Sequence, residues 1–222
     1  MELSDQLHNK ARPIWEKTLN HPFILGIGDG SLPLNKFGFY MRQDYLFLIE
    51  YSRLLALAVA KASELTDMGK LAELLHSTLN TEMELHRRFA EKFDISPQAL
   101  AQTRPAPTTH AYTRHLLYVS YSGTIGEILA ALLPCQWGYQ EIGRSLAEKE
   151  EPPRQPLYAQ WVQMYISPEY GALTQEMISL LNRLSKGAGR RERGCMKENF
   201  LTSSRYEYLF WDMSYCMQRW PI

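Results

Sequence analysis

The chain has 222 residues, 45% of them hydrophobic, enough to build a sizeable core in one large domain or two small ones. Its 24 Lys and Arg cancel its 24 Asp and Glu, so no global field draws it to nucleic acid or to an anionic membrane, and a small neutral ligand suits it better than a polyanion. Cys135, Cys195 and Cys216 are odd in number and widely spaced with no CxxC pair, which removes the usual zinc and redox signatures and points to a reducing compartment.

Apolar positions recur with a period near 3.6 from end to end, and no alternating run is bounded by hairpin turns, so the chain is expected to be all-α. The first six residues lack a basic region followed by an apolar run, which predicts a cytoplasmic rather than a secreted protein. Ser4 is expected to cap a first helix ending near Leu19, and residues 21–33, HPFILGIGDGSLP, read as a loop. Pro33 then opens a long helix to about Leu65. Its greasiest part, residues 45–60, carries Glu50 and Arg53 and falls short of the roughly 20 apolar residues that span a bilayer. A second long helix is predicted from about Met68 to Phe93, followed by a short turn at Ser96-Pro97 and the breaker-rich TRPAPTT. Helices restart near Thr108, near Thr124, near Leu157, after Pro168 and near Arg191, the last preceded by a basic linker, SKGAGRRERG. With no repeat and no long linker, one helical bundle over residues 1–222 is the economical reading.

Side chains three and four positions apart share a helix face, so neighbours at those offsets indicate where a polar residue points. Asp44 has Tyr40, Met41, Phe47 and Leu48, which turns it inward, while Arg42, Gln43, Glu50 and Arg53 are expected nearer solvent. Glu207 has Ser203 and Ser204 one turn back and Phe210 and Trp211 one turn on; an apolar setting raises a carboxyl pKa toward neutrality, as a proton donor requires. Glu127 shares a stripe with Cys135 and is a third inward candidate. Each of these acids also has a plain reading as a structural group.

Cys135 lies between Ala131 and Leu132 on one side and Gly138 and Tyr139 on the other, a face on which a lone cysteine is usually an inert small hydrophobe. Pro134 changes that expectation. Within a helix it removes an amide hydrogen bond and crowds the preceding turn, so a kink is predicted that opens a pocket lined by Cys135 and Tyr139. Phe47, Tyr51, Tyr112, Tyr139, Tyr165, Tyr206 and Trp211 lie beside the inward polar groups, and flat rings with phenolic tips suit a flat heterocycle.

Other patterns carry less. Glu73-Leu-Leu-His76 is a single Glu-x-x-His where a di-iron bundle needs two, and His86, between Met83 and Phe89, reads as a satisfied core histidine. GIGDG lacks the strand that a dinucleotide loop follows, and GRRERG reads as a solvated linker. No metal and no cofactor are expected.

The segments HPFILGIGDGSLP, QDY, EMELHRRFAEKFDIS, EILAALLPCQWGY and MKENFLTSSRYEYLFWDMSY, in this order along nearly the whole chain, resemble the TenA family, also called thiaminase II or aminopyrimidine aminohydrolase. The resemblance implies a haem-oxygenase-like helical bundle without haem, a homotetramer and a role in thiamin salvage. Its small-molecule partner would be a pyrimidine or thiamin: hydrolysis of 4-amino-5-aminomethyl-2-methylpyrimidine to the hydroxymethylpyrimidine and ammonia, and cleavage of thiamin. It further implies Cys135 as nucleophile, Glu207 as proton donor and Asp44 as the carboxylate that binds the pyrimidine. Tyr139, Tyr165 and Tyr112 match ligand-contacting tyrosines. Phe47 stands where some members have a tyrosine that assists the cysteine, so Tyr51 or Tyr112 would supply that hydroxyl, or the cysteine would be less activated.

Overall fold

The computed structural model describes residues 1–93, 95–148 and 155–222, and every regular element among them is helical. The helices are α1 (Leu3–Leu19), α2 (Pro22–Asp29), α3 (Leu34–Lys61), α4 (Leu65–Ser77), α5 (Met83–Lys92), α6 (Pro97–Ala101), α7 (Pro107–Ser122), α8 (Ile125–Ala147), α9 (Pro156–Tyr165), α10 (Pro168–Gly187) and α11 (Arg190–Cys216). Helix α8 is the centre. Residues 128–133 are buried on every side, as expected of a helix that is apolar all round. It packs against α11, α10, α9 and α7, and α3 closes the bundle against α7, α4 and α11. None of the helices in the described residues is long and apolar enough to cross a membrane.

The segment read as a loop at residues 21–33 contains α2. His21 caps it by accepting the Phe23 amide at 3.2 Å, Pro22 occupies the first turn, and Gly30 ends it in the left-handed conformation at φ 78°. Its glycines misled the sequence reading for a specific reason: a side chain on Gly26 would meet the Leu32 backbone at 3.0 Å, so glycine here permits close packing and does not break the helix. The burial of Phe23 against Tyr40 and Trp211 makes α2 a plug at one end of the aromatic core.

Several boundaries differ from expectation. The cap of α1 is Glu2, which exchanges hydrogen bonds with Asp5, whereas Ser4 is buried and its amide donates to Asn182. Helix α3 ends at Lys61, four residues early, and SKGAGRRERG divides between the last turn of α10 and the first turns of α11, leaving only residues 188–189 as linker. Gln43, expected nearer solvent, is buried because the chain at 104–109 folds over it. Its Nε2 donates to the Arg104 carbonyl, and its Oε1 accepts from the Ala106 amide and the Thr109 hydroxyl.

The second long helix forms as α4 and α5 joined through a π-helical turn, Thr78–Glu82. The extra residue in such a turn re-aims side chains, and π-turns occur often at functional sites. This one presents Glu82 to the interior of the bundle.

Candidate active site

Helix α3 places Tyr40, Asp44, Phe47 and Tyr51 on one face through the spacing 4, 3, 4. Asp44 is only 2% exposed, and its Oδ2 accepts from the Tyr40 hydroxyl at 3.0 Å and pairs with His86 Nε2 at 2.7 Å. The other ring nitrogen of His86 lies 2.8 Å from the Glu82 carbonyl, so the imidazole is held at both ends. Burial pulls the His86 pKa down, but the hydrogen bond and charge of Asp44, with Glu82, outweigh it and keep it above the ordinary value. Both of these Asp44 bonds fall on Oδ2.

Across the core, α8 brings Cys135 and Tyr139, and α11 brings Glu207. The Glu207 Oε1 accepts from Tyr112 at 2.7 Å, and the Cys135 thiol lies near enough to the same carboxylate for each to shift the other's pKa. Burial, reinforced by the charge of Asp44 and opposed by the Tyr112 and Cys135 hydrogen bonds, lifts the Glu207 pKa to about 8. Burial and the charges of Glu207, Glu82 and Asp44 push the Cys135 thiol up, so it rests as a neutral thiol.

Aromatic rings join these two groups. Tyr139 lies 4.8 Å from Tyr165 and 5.2 Å from Trp211, while Phe47 lies 5.0 Å from Tyr112 and 5.7 Å from Tyr51. Trp161 donates to the Tyr40 hydroxyl at 3.2 Å and holds the ring that in turn holds Asp44. Thus Asp44, Phe47, Tyr112, Cys135, Tyr139, Tyr165 and Glu207, seven residues singled out in the sequence, meet in one region. With Tyr112 engaged by Glu207, Tyr51 keeps the free hydroxyl: it is fully buried, has no hydrogen-bond partner, and its pKa is raised by burial and by the charges of Cys135, Glu82 and Glu207.

Two expectations fail here. The pocket expected beside Pro134 is not lined by Cys135 and Tyr139: the cavity of about 100 Å³ next to Pro134 and Gly138 is lined by α1 together with Glu207 and Trp211. Proline and cysteine are adjacent in sequence and therefore about 100° apart around the helix, so the space that proline opens faces a different way. Glu127, expected inward, sits half-exposed in the first turn of α8, its amide capped by Thr124, over a groove toward α7 and α11.

Sequence reasoning missed Glu82, Tyr40 and Trp161. Glu82 accepts from the Tyr165 hydroxyl at 3.2 Å, and burial lifts its pKa to about 7. The one available signal was its position four residues before His86, an inward histidine that needed a partner. Glu73 and His76 are both exposed on α4, away from these groups.

An all-α bundle with a half-buried thiol, two carboxylic groups of raised pKa and a ring-lined interior has the make-up of a helical enzyme. Residues 8–217 match the model of the TENA/THI-4/PQQC family, and the chain belongs to it. It is 44% identical over 220 residues, 99% of this chain and 98% of the relative, to an aminopyrimidine aminohydrolase of Halalkalibacterium halodurans. It is 37% identical, over 99% of this chain and 92% of the relative, to one of Bacillus subtilis. A TenA homologue from P. horikoshii OT3 superposes with a TM-score of 0.90 at 31% identity, covering 97% of this chain and 99% of that one. The fold is haem-oxygenase-like: a Shewanella denitrificans domain described by that fold superposes at a TM-score of 0.75 with 14% identity, over 98% of this chain and 93% of that one.

Proposed function

We propose that this chain is an aminopyrimidine aminohydrolase of thiamin salvage, one domain over residues 1–222, which converts 4-amino-5-aminomethyl-2-methylpyrimidine and water to the hydroxymethylpyrimidine and ammonia. The names of its full-length relatives support the reaction. The observation that carries the mechanism is Glu207, held through Oε1 by Tyr112 at 2.7 Å and, with a pKa lifted to about 8, still largely protonated at pH 7 in the neighbourhood of the Cys135 thiol.

Asp44 Oδ1 accepts hydrogen bonds from the pyrimidine edge while Tyr139, Tyr165 and Phe47 flank the ring. Glu207 gives its proton to a ring nitrogen and takes the thiol proton as sulfur adds to a ring carbon, so the carboxyl ends the step as it began. The electron pair now on the ring nitrogen returns, breaks the exocyclic carbon–nitrogen bond and expels ammonia. Water adds to the resulting methylene and releases one proton, the carbon–sulfur bond breaks, and the nitrogen proton returns through Glu207 to sulfur. Covalent catalysis replaces one difficult displacement by easier steps. Thiamin cleavage follows the same course with the thiazole as leaving group.

The test is ammonia release from the aminomethylpyrimidine by wild type and Cys135→Ser. Turnover by the wild type and none by the variant is expected; equal turnover by both would remove the cysteine from the chemistry. The cytoplasmic homotetramer implied by the family resemblance is checked by light scattering, which should return four times 25.7 kDa.

A further inference from the structure

The reaction needs a second proton acceptor that Glu207 does not supply. When water adds to the methylene, it must lose a proton, and Glu207 at that moment already carries the proton it took from the thiol. We propose that Glu82 is the general base for this water, which reaches it through the cavity between α4, α8 and α10. The inference rests on the hydrolytic reading given under Proposed function.

Three observations carry it. The π-turn between α4 and α5 carries Glu82 among the reacting groups, with Tyr165 donating to its Oε1 at 3.2 Å. Tyr165, which holds it, lies 4.8 Å from the Tyr139 ring, and His86, bonded to its backbone carbonyl, pairs with Asp44, so Glu82 stands one residue removed from both Tyr139 and Asp44. It also lines a cavity of about 60 Å³ with Thr78, Thr81, Gln136, Ser167 and Tyr170. At roughly 30 Å³ per water this is room for about two, and Thr78, Thr81, Gln136 and Ser167 supply polar partners in a mainly apolar lining. Exposed Thr81 and Glu169 lie on its rim, so the cavity joins Glu82 to bulk water. The titratable groups around Glu82 are His86 on its own helix, Asp44 and Tyr51 from α3, Cys135 from α8, Tyr165 from α9 and Tyr170 from α10. Burial lifts its pKa to about 7, so near neutrality it is able to take a proton from water and pass it on.

The step balances. The substrate amine enters as an ammonium group and leaves as neutral ammonia, so the covalent intermediate carries one positive charge. The water oxygen bonds to the methylene carbon, its proton goes to a Glu82 carboxylate oxygen, and the adduct becomes neutral. After the sulfur leaves, Glu82 gives the proton through the cavity to solvent, where it converts ammonia to ammonium.

Glu82→Gln keeps the size of the side chain and the Tyr165 hydrogen bond. It is predicted to lower steady-state ammonia release by roughly 10²–10⁴-fold. One equivalent of ammonia per site should still be released in a burst, leaving the pyrimidylmethylene group on the Cys135 peptide, detected by mass spectrometry. Azide, a nucleophile with no proton to remove, should restore turnover, and Glu82→Asp should retain part of it. Wild-type-like binding of the hydroxymethylpyrimidine by Glu82→Gln verifies its fold. An active wild type with Glu82→Gln within about threefold of it, or a slow variant with neither burst nor azide rescue, overturns the base assignment alone. A wild type that releases no ammonia overturns the hydrolytic reading as well.

Discussion

On the α3 side of the pocket, Asp44 is 2% exposed and already holds two hydrogen bonds on one oxygen, from Tyr40 and from a histidine itself fixed at both ring nitrogens. On the α8 and α11 side, Glu207 accepts from Tyr112, a neutral donor, with the Cys135 thiol nearby, and both Cys135 and Glu207 have pKa values pushed upward. The first side is rigid and compensated, which suits recognition, because a carboxylate in a fixed position discriminates by geometry. The second keeps its protons movable, which suits chemistry. Burial acts on both. The difference is a partner: His86 pairs with Asp44, while the groups that shift Glu207 among the described residues include no cation.

Glu207→Gln attacks the reacting side most severely after loss of the cysteine. Turnover should fall roughly 10²–10⁴-fold, and the wild-type alkaline limb near pH 8 should vanish from the residual activity. The sign follows from the acid role, since the protonated form is present below pH 8 and is lost as pH rises through it. The same substitution should stabilise the fold at alkaline pH. A carboxyl of pKa about 8 in the folded state and near 4.5 in the unfolded chain contributes stability that is full below 4.5 and is lost as pH rises through 8. Relative to wild type the variant's melting temperature should therefore rise between pH 5 and 9, by an amount worth at most a few kcal/mol.

Asp44→Ala breaks the recognition side instead. Removing one partner of this buried hydrogen-bonded pair leaves His86 Nε2 unsatisfied, at a cost of about 1–3 kcal/mol measured by denaturant unfolding. In the gentler Asp44→Asn, KM should rise more than kcat falls. A kcat loss with unchanged KM would move Asp44 to the reacting side.

Tyr51→Phe is the smallest and sharpest change. The hydroxyl is buried without a partner, so its loss should leave the melting temperature unchanged or raise it, the desolvation of an unmade bond being worth about 1–3 kcal/mol. Any accompanying fall in turnover would assign the free hydroxyl to ligand or sulfur; unchanged turnover would leave it outside the reaction.

Much of this was legible in the sequence where local spacing decides the outcome. Asp44 and Glu207 announced themselves by aromatic neighbours one turn away, and both are buried as their helix faces require. Partners brought from elsewhere in the chain were not legible. Asp44 pairs with His86 across 42 positions, and Gln43 takes its partners from a loop more than 60 positions on. His86 was rightly expected to be a satisfied core histidine, but its partner is the site carboxylate. Helix α2 escaped notice because glycine serves close packing and loops alike, and the two uses differ only once Leu32 is in view. Glu82 depends on a π-turn, which breaks the 3.6 period that any face assignment assumes.

The division between a recognising and a reacting side is tested most directly by calorimetric binding of the hydroxymethylpyrimidine to wild type, Cys135→Ser and Asp44→Asn. The account predicts a Kd for Cys135→Ser close to that of wild type and binding at least tenfold weaker for Asp44→Asn. Weakened binding in Cys135→Ser with wild-type affinity in Asp44→Asn would contradict it.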